Sequence, residues 1–157
     1  MSRRHRAEKR KILSDPIYNS QTVAKFINRV MMEGKKSLAT KIVYEALKKF
    51  SERTKQENIL EAFEQALENA KPSLEVKSRR IGGATYQVPV EIPPDRRTSI
   101  AMRWIINHAK SKPGRNMIEG LSIELSDCFT NQGSTIKKKD DMHRMAEANR
   151  AFAHYKW

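Results

Sequence analysis

The chain has 157 residues and a mass of 18.2 kDa, the size of one domain, with 31 Lys and Arg against 18 Asp and Glu, a net charge of +13 and a pI near 10. One cysteine, Cys128, excludes an internal disulfide framework and any all-cysteine metal site. No apolar run approaches the roughly 18 residues of a membrane-spanning helix, and no apolar segment follows the basic start Met1-Ser2-Arg3-Arg4-His5-Arg6 as it would in a secretory signal.

The first 19 residues read as a basic tail. Arg3, Arg4, Arg6, Lys9, Arg10 and Lys11 are opposed only by Glu8, and Asp15-Pro16 breaks any helix. Such a run repels itself in water and is expected to order only against a polyanion. Residues 20–157 then read as a single helical domain. Ser20 is a good N-cap for a helix with Val23, Phe26, Ile27, Val30 and Met31 on one face, ended by Gly34. Lys35-Lys36-Ser37 is a basic turn. Ser37 is placed to cap a second helix carrying Leu38, Ile42, Val43, Ala46, Leu47 and Phe50. Thr54-Lys55-Gln56-Glu57 spells a capping box for a third helix, with Ile59, Phe63, Ala66, Leu67 and Ala70 on its apolar side and Pro72 as its stop.

The period changes from helical to alternating at about residue 74. Leu74, Val76, Ser78 and Arg80 alternate with Glu75, Lys77 and Arg79. After Gly82-Gly83, Tyr86, Val88 and Val90 alternate with Gln87, Pro89 and Glu91. Two such runs around Gly-Gly predict a β-ribbon over about 74–92. A lone ribbon is marginal, so its base leans on helices while its basic tip projects. Pro93-Pro94 closes it. A fourth helix covers about 96–110, with Ile100, Trp104 and Ile105 inward. Lys112-Pro113-Gly114 leads to a fifth with Ile118, Leu121, Leu125 and Cys128 on one face. Gln132-Gly133-Ser134 precedes a sixth from about Ile136, with Met142, Met145, Ala146 and Asn149 stacked and Asp140 and Asp141 suited to the dipole at its start. The expected fold is mainly α (α+β): a six-helix bundle with one protruding two-stranded β-ribbon and a basic N-terminal tail.

No constellation of residues speaks for catalysis. His143 and Glu147 stand one turn apart, short of the three protein ligands of a catalytic zinc. Cys128 reads as a buried structural thiol. Gly34-Lys35-Lys36-Ser37 lacks the first glycine of a phosphate-binding loop, since Arg29 stands there, and it follows a helix rather than a strand. No catalytic residue, metal site or cofactor is expected.

What the sequence does carry is a distribution of cations on the elements that leave the helical body: the tail, the Lys35-Lys36 turn, the ribbon with Lys77, Arg79 and Arg80, its foot at Arg96-Arg97, and Lys137-Lys138-Lys139. A polyphosphate partner releases counterions when such side chains replace them. Nucleic acid is therefore the expected partner, ahead of an anionic membrane surface. Gly82 and Gly83 permit close backbone approach, and Tyr86 offers a stacking face. A DNA-architectural protein with a basic β-ribbon arm is the alternative. Such proteins place an apolar wedge at the ribbon tip, where this chain has Ile81-Gly82-Gly83-Ala84.

Several stretches are shared with a known family: Gly34-Lys35-Lys36, Val76-Lys77-Ser78-Arg79-Arg80-Ile81-Gly82-Gly83, Tyr86-Gln87-Val88-Pro89-Val90-Glu91, Ala101-Met102-Arg103-Trp104, and Arg144-Met145-Ala146-Glu147-Ala148-Asn149 with Ala151-Phe152-Ala153-His154-Tyr155-Lys156-Trp157. From about Lys11 onward the chain closely resembles the bacterial form of the small-subunit ribosomal protein seven family. The resemblance implies a structural, non-enzymatic protein. It binds the three-prime major domain of small-subunit ribosomal RNA, nucleates assembly of the head, and faces the subunit interface near the exit-site transfer RNA and the messenger path. It also implies neighbouring head and platform proteins as partners, and no membrane. Candidate rRNA contacts are Arg3, Arg4, Arg6, Lys9, Arg10, Lys11, Lys35, Lys36, Lys77, Arg79, Arg80, Arg96, Arg97 and Arg115. Candidates near the exit-site transfer RNA, a place the resemblance alone implies, are Arg79, Arg80, Gly82, Gly83, Tyr86 and Arg144. The start of the chain, close to the shared body and without an import extension, leads to the expectation of a bacterial cytoplasm, with a plastid as the other compartment of that kind.

Overall fold

Apolar stripes at helical spacing become helices that share one core, and the alternating stretch becomes a ribbon beside them. The computed structural model describes residues 10–155. In chain order its elements are α1 (Gln21–Val30), α2 (Lys36–Thr54), α3 (Ile59–Ala70), β1 (Leu74–Ile81), β2 (Ala84–Glu91), α4 (Pro94–Ser111), α5 (Met117–Phe129), α6 (Gly133–Ala148) and a C-terminal 3-10 helix (Arg150–Tyr155). The expected mainly helical α+β class is the observed one.

α5 is the hub, packed against α2, α3, α4 and α6. Leu121, Leu125 and Cys128 are fully buried on it, as are Ser122 and Glu124. Edge-to-face aromatic pairs tie the bundle together, Phe26 with Phe63 at 5.3 Å and Phe50 with Phe129 at 6.1 Å between ring centroids. Each buried Phe contributes roughly 1.5–3 kcal/mol through burial alone. Gly120 lets α5 lie directly on α4: a Cβ there would stand 2.5 Å from the carbonyl oxygen of Ala109.

Helix ends depart from the expectations where local signals compete. Ser20 caps α1 as expected, its Oγ accepting from the backbone N–H of Thr22 at 3.2 Å. However, α1 stops at Val30, and Gly34 sits beyond it in a turn where Glu33 and Gly34 are both left-handed. α2 begins at Lys36, so Ser37 lies inside its first turn rather than capping it. Thr54 is not an N-cap. It is the last residue of α2, its hydroxyl donating back to Phe50 O at 2.9 Å, and Lys55 ends that helix in the left-handed conformation. The cap of α3 is Asn58, which accepts from Glu61 N–H. α6 starts at Gly133, which puts Asp140 and Asp141 in its second turn or later. Met145 is exposed, so the buried stripe of α6 is narrower than its spacing suggested: Thr135, Ile136 and Ala146.

The N-terminal segment joins the body before α1. Asp15 is buried and makes a closed turn, Oδ2 accepting from the N–H groups of Ile17 and Tyr18 and Oδ1 from the Tyr44 hydroxyl at 2.7 Å. Burial and then the Asp15 partner push the Tyr44 hydroxyl up to about 12.

The ribbon is antiparallel, with Gly82 and Gly83 as its two-residue turn, both at positive φ, the geometry of a tight hairpin whose twist matches its strands. Arg79 pairs with Tyr86 and Lys77 with Val88, which places Glu75, Lys77 and Arg79 on one face with Val90, Val88 and Tyr86. Leu74 and Val76 lie on the opposite face, so the four apolar residues at the base are split between two sides. Val88 is fully buried, which marks its face as the inward one. At the foot, Ile92, Ile100 and Trp104 form a second small core with Met142 against it, and the Lys138 ammonium lies 5.7 Å from the Trp104 ring centroid.

Candidate nucleic-acid interface

The ribbon, the α1–α2 turn and the outer face of α4 position the cations. Of the residues singled out from sequence, Arg3, Arg4, Arg6 and Lys9 lie outside the described residues. Arg10 and Lys11 are exposed at the entry to the Asp15 turn. Lys35 and Lys36 are exposed in the α1–α2 turn, with Lys35 Nζ 2.7 Å from Glu33 Oε2. Glu75, largely covered, gathers two of the predicted cations at the ribbon's foot: Lys77 Nζ at 3.3 Å and Arg96 Nη2 at 3.1 Å. Arg97 is half-buried and donates Nε to Ile92 O at 2.7 Å, which ties it to the foot of the ribbon. Arg115 is exposed in the turn after Gly114, at the far end of α4.

The paired arginines part company. Arg80 is exposed on the outer face. Arg79 is half-buried on the inner face and donates to the Tyr155 carbonyl in the C-terminal 3-10 helix. Tyr86 is no open stacking platform, because its ring lies 5.3 Å from Phe152 and 5.2 Å from Tyr155. Gly82 and Gly83 are exposed at the tip with open space around them. Arg144 is exposed on α6, 3.9 Å from Asp141. The structure therefore brings together Lys77 with Arg96, and Arg79 with Tyr86, and leaves Arg115 and Arg144 apart from both.

Sequence reading missed Arg103 and Lys110 inside α4. With the predicted Arg96 they are exposed at a seven-residue spacing, which returns to one helix face with only ~20° of drift per step. They span ~21 Å of α4. Arg29 of α1 reaches this face, donating to Ser99 O at 3.4 Å, and Lys110 Nζ lies 3.7 Å from Met32 Sδ in the α1–α2 turn. Those two contacts set α1 and the α1–α2 turn against α4, so that the ribbon foot, the α4 stripe and the Lys35-Lys36 turn follow one another on adjoining elements as a cationic track, with Glu33 paired to Lys35 at its end. The signal was present in the spacing, hidden because the apolar positions of α4 define the helix. Beside the track, an open groove of about 860 Å³ between α1, α3 and α4 mixes Lys25, Arg29 and Lys71 with Glu64, Glu68 and Asp95. Arg29 and Ser99 line it too, so the groove borders the track but is balanced in charge.

The polar cluster at Glu124 has the character of a structural joint. Its Oε1 accepts from the N–H of Thr135 at 3.0 Å and from the Thr135 hydroxyl at 2.7 Å, and Lys112 Nζ stands 2.9 Å from Oε2. Burial alone would push this carboxyl up, but Lys112 and Thr135 together hold it below the usual carboxylate range. α6 has no N-cap side chain of its own at Gln132, so Glu124 supplies from α5 both the acceptor and the negative charge its N-terminus needs. His108 Nδ1 lies 2.9 Å from the same Thr135 hydroxyl, and burial holds that imidazole below its usual range. Burial pushes the Cys128 thiol up to about 12, which leaves it an inert part of this core. His143, weighed above as a metal ligand, has its Nε2 3.0 Å from the N–H of Ser73 and accepts from it.

A helical body with a basic ribbon and cations on adjoining exposed elements is an architecture for holding nucleic acid. Comparison with known proteins assigns it to a family. The model of the family described as "Ribosomal protein S7p/S5e" matches residues 2–150. The chain is 71% identical over its whole length to a protein from Protochlamydia amoebophila, and 66% identical to proteins from Chlamydia caviae and Chlamydia pneumoniae, each covered completely. All three are named "Small ribosomal subunit protein uS7". The chain belongs to the ribosomal protein S7p/S5e family. It is a structural protein of the small ribosomal subunit, part of the ribonucleoprotein machinery of translation, and not an enzyme. That assignment displaces the DNA-architectural reading.

Proposed function

We propose that the chain binds the three-prime major domain of small-subunit rRNA through the track from Arg96 along α4 to Lys35 and Lys36, with the N-terminal segment from Arg3 to Lys11 adding further phosphate contacts. The observation that carries this reading is that the Arg29–Ser99 and Lys110–Met32 contacts place three elements bearing exposed cations beside one another. Binding there seeds the head of the subunit, next to head and platform proteins, in a bacterial cytoplasm. The test is filter binding to a three-prime-domain rRNA fragment across a salt series. Replacing Arg96, Arg103 and Lys110 together by Ala should lower the log–log salt slope by about 2 to 3, at ~0.7–0.9 per phosphate contact. An unchanged slope would overturn the track as the RNA surface.

The second part of the proposal concerns the ribbon, whose outer face and Gly-Gly tip meet the exit-site transfer RNA near the messenger path. Its support is the exposure of Arg80, Gly82 and Gly83 away from the bundle together with the family resemblance. Shortening the ribbon by residues 80–85 and closing it with a new two-residue turn spares Arg79 and Tyr86. Subunits carrying that protein should assemble, yet hold deacylated transfer RNA less well at the exit site. Normal exit-site occupancy would remove this part of the proposal. Failure to enter subunits would make the ribbon an assembly element instead.

A further inference from the structure

The two ribbon strands pair only with each other among the described residues, and a two-stranded ribbon is marginal alone. Its base is seated against α6, with Val88 buried, and what holds its inner face toward the tip comes from the C-terminal end of the chain. The Tyr86 ring packs on Phe152 and Tyr155, at centroid distances of 5.3 and 5.2 Å. Its register partner Arg79 donates to the carbonyl of the same Tyr155. The two-turn 3-10 helix Arg150–Tyr155 thus meets both strands at neighbouring positions. Two of these contacts are aromatic and one is polar, so the ribbon is fixed in angle as well as in height.

We propose that the C-terminal 3-10 helix is a brace that sets the direction of the ribbon, with Tyr86 seated between Phe152 and Tyr155 as its joint. Phe152 and Tyr155 are only half-buried and stand outside the bundle core, so the brace orients the ribbon without being needed to fold the helices. With the brace in place the outer face of the ribbon is presented in one position, and the cost of ordering the arm is met before any partner arrives. Without it, the part of the ribbon beyond Val88, whose base stays seated on α6, swings while the bundle stays intact. This inference stands on contacts within the chain and does not depend on what the ribbon touches.

The test measures distance in the full chain. Cysteines introduced at two exposed positions, Thr85→Cys at the ribbon tip and Glu52→Cys on α2, carry spin labels, while the buried Cys128 stays unlabelled. Double electron–electron resonance should give one narrow distance peak with the native brace. Tyr86→Ala should abolish that peak in favour of a broad distribution, and Phe152→Ala should do the same. The two together should be no broader than Tyr86→Ala alone, since both cut one joint. Phe152→Tyr, which keeps the ring, should restore the narrow peak. Helical circular dichroism and the midpoint of thermal unfolding should stay at their native values throughout. A narrow, unmoved peak in Tyr86→Ala and Phe152→Ala would overturn the brace. Loss of the helical fold in Phe152→Ala would also overturn it, because the turn would then belong to the core.

Discussion

α5 and the ribbon are opposite solutions to placing polar residues. α5 buries Ser122 and Glu124 at the centre of the bundle: the Ser122 hydroxyl donates to Glu119 O within α5, while Glu124 reaches Thr135 of α6 and Lys112 beyond the end of α4. The ribbon carries Lys77 and Arg80 out to solvent, turns Arg79 in to Tyr155, and packs mainly on α6 and the 3-10 helix. In α5, charge serves packing: one carboxylate holds the start of α6. In the ribbon, packing serves charge: Val88 and Tyr86 seat one face so that the other can present Arg80. The sharpest way to break this comparison is therefore to change a charge in each region and ask whether stability or RNA binding responds.

The largest effect should come from Glu124→Gln. The substitution keeps the shape but leaves Lys112 only the more exposed Asp127, at 3.3 Å, as a counter-charge, and weakens the acceptor for Thr135. Removing one partner of a buried pair costs about 3–5 kcal/mol, and the lower end applies because Lys112 still reaches water. Urea unfolding should show the loss. A change within the error of the measurement would mean that α6 is held by its apolar contacts alone. Gly120→Ala tests the same region sterically. Its Cβ meets the Ala109 carbonyl, and overpacking of this kind costs about 1–3 kcal/mol.

Acid should act on the packed region in two stages, in directions fixed by its partners. His108 and His143 are held below their usual value of 6.5, by burial in both and then by Lys139 at His143. The folded state therefore prefers them neutral. Their contribution is present above 6.5 and is lost as the pH falls through the lowered folded values, because the unfolded chain binds more protons there. Glu124, held below 4.5, contributes above 4.5 and loses its contribution only at lower pH. Thermal midpoints measured from pH 7.5 downward should fall in the first window. The double variant His108→Gln, His143→Gln should flatten that part of the curve and leave the acid limb in place. An unflattened curve would assign the first stage to other groups.

These regions also differ in how plainly the sequence announced them. The apolar spacing of α1 to α5 was legible because helical burial repeats locally, and the ribbon register was legible because a two-residue Gly-Gly turn leaves only one pairing. The cap of α3 was misread because Thr54 bonds backward to Phe50 instead of forward, a choice made by α2. Glu124 was silent because a glutamate in an apolar helix looks the same in sequence whether it is solvated or buried. The inward role of Arg79 was equally hidden, since its acceptor lies 76 residues away on Tyr155. Strand alternation says that Arg79 and Arg80 face opposite ways; only the distant contact says which of them faces in.

On the exposed side, cations should respond in binding and not in folding. Arg103→Ala and Lys110→Ala should each reduce the salt slope of rRNA binding by ~0.7–0.9 and move stability by no more than about 0.5 kcal/mol. Arg97→Ala should do the reverse, since its guanidinium is spent on Ile92 O. A slope loss in Arg97→Ala equal to that in Arg103→Ala would place Arg97 on the RNA as well, and the division between packed and presented charge would blur at the ribbon foot.

The smallest and most discriminating test separates the adjacent arginines. They have the same charge, neighbouring positions and the same strand, so composition and local propensity cannot distinguish their variants. Arg80→Ala removes a solvent-facing side chain and should leave stability within about 0.5 kcal/mol of the native protein. Arg79→Ala removes the donor to Tyr155 at the joint between strand and C-terminal turn. A hydrogen bond to a charged group contributes about 1.5–3 kcal/mol when well shielded, and the half-exposed site reduces that to the order of 1 kcal/mol. The loss should appear as faster amide exchange in β2 ahead of any shift in global unfolding, because the ribbon and not the bundle is what the contact holds. In reconstituted subunits the order should invert for exit-site transfer RNA retention, with Arg80→Ala the more damaging because that arginine is the one presented. Equal exchange rates in β2 for the two variants would show that the two faces of the ribbon are energetically alike, and the asymmetry argued from Arg79, Tyr86 and Tyr155 would fail.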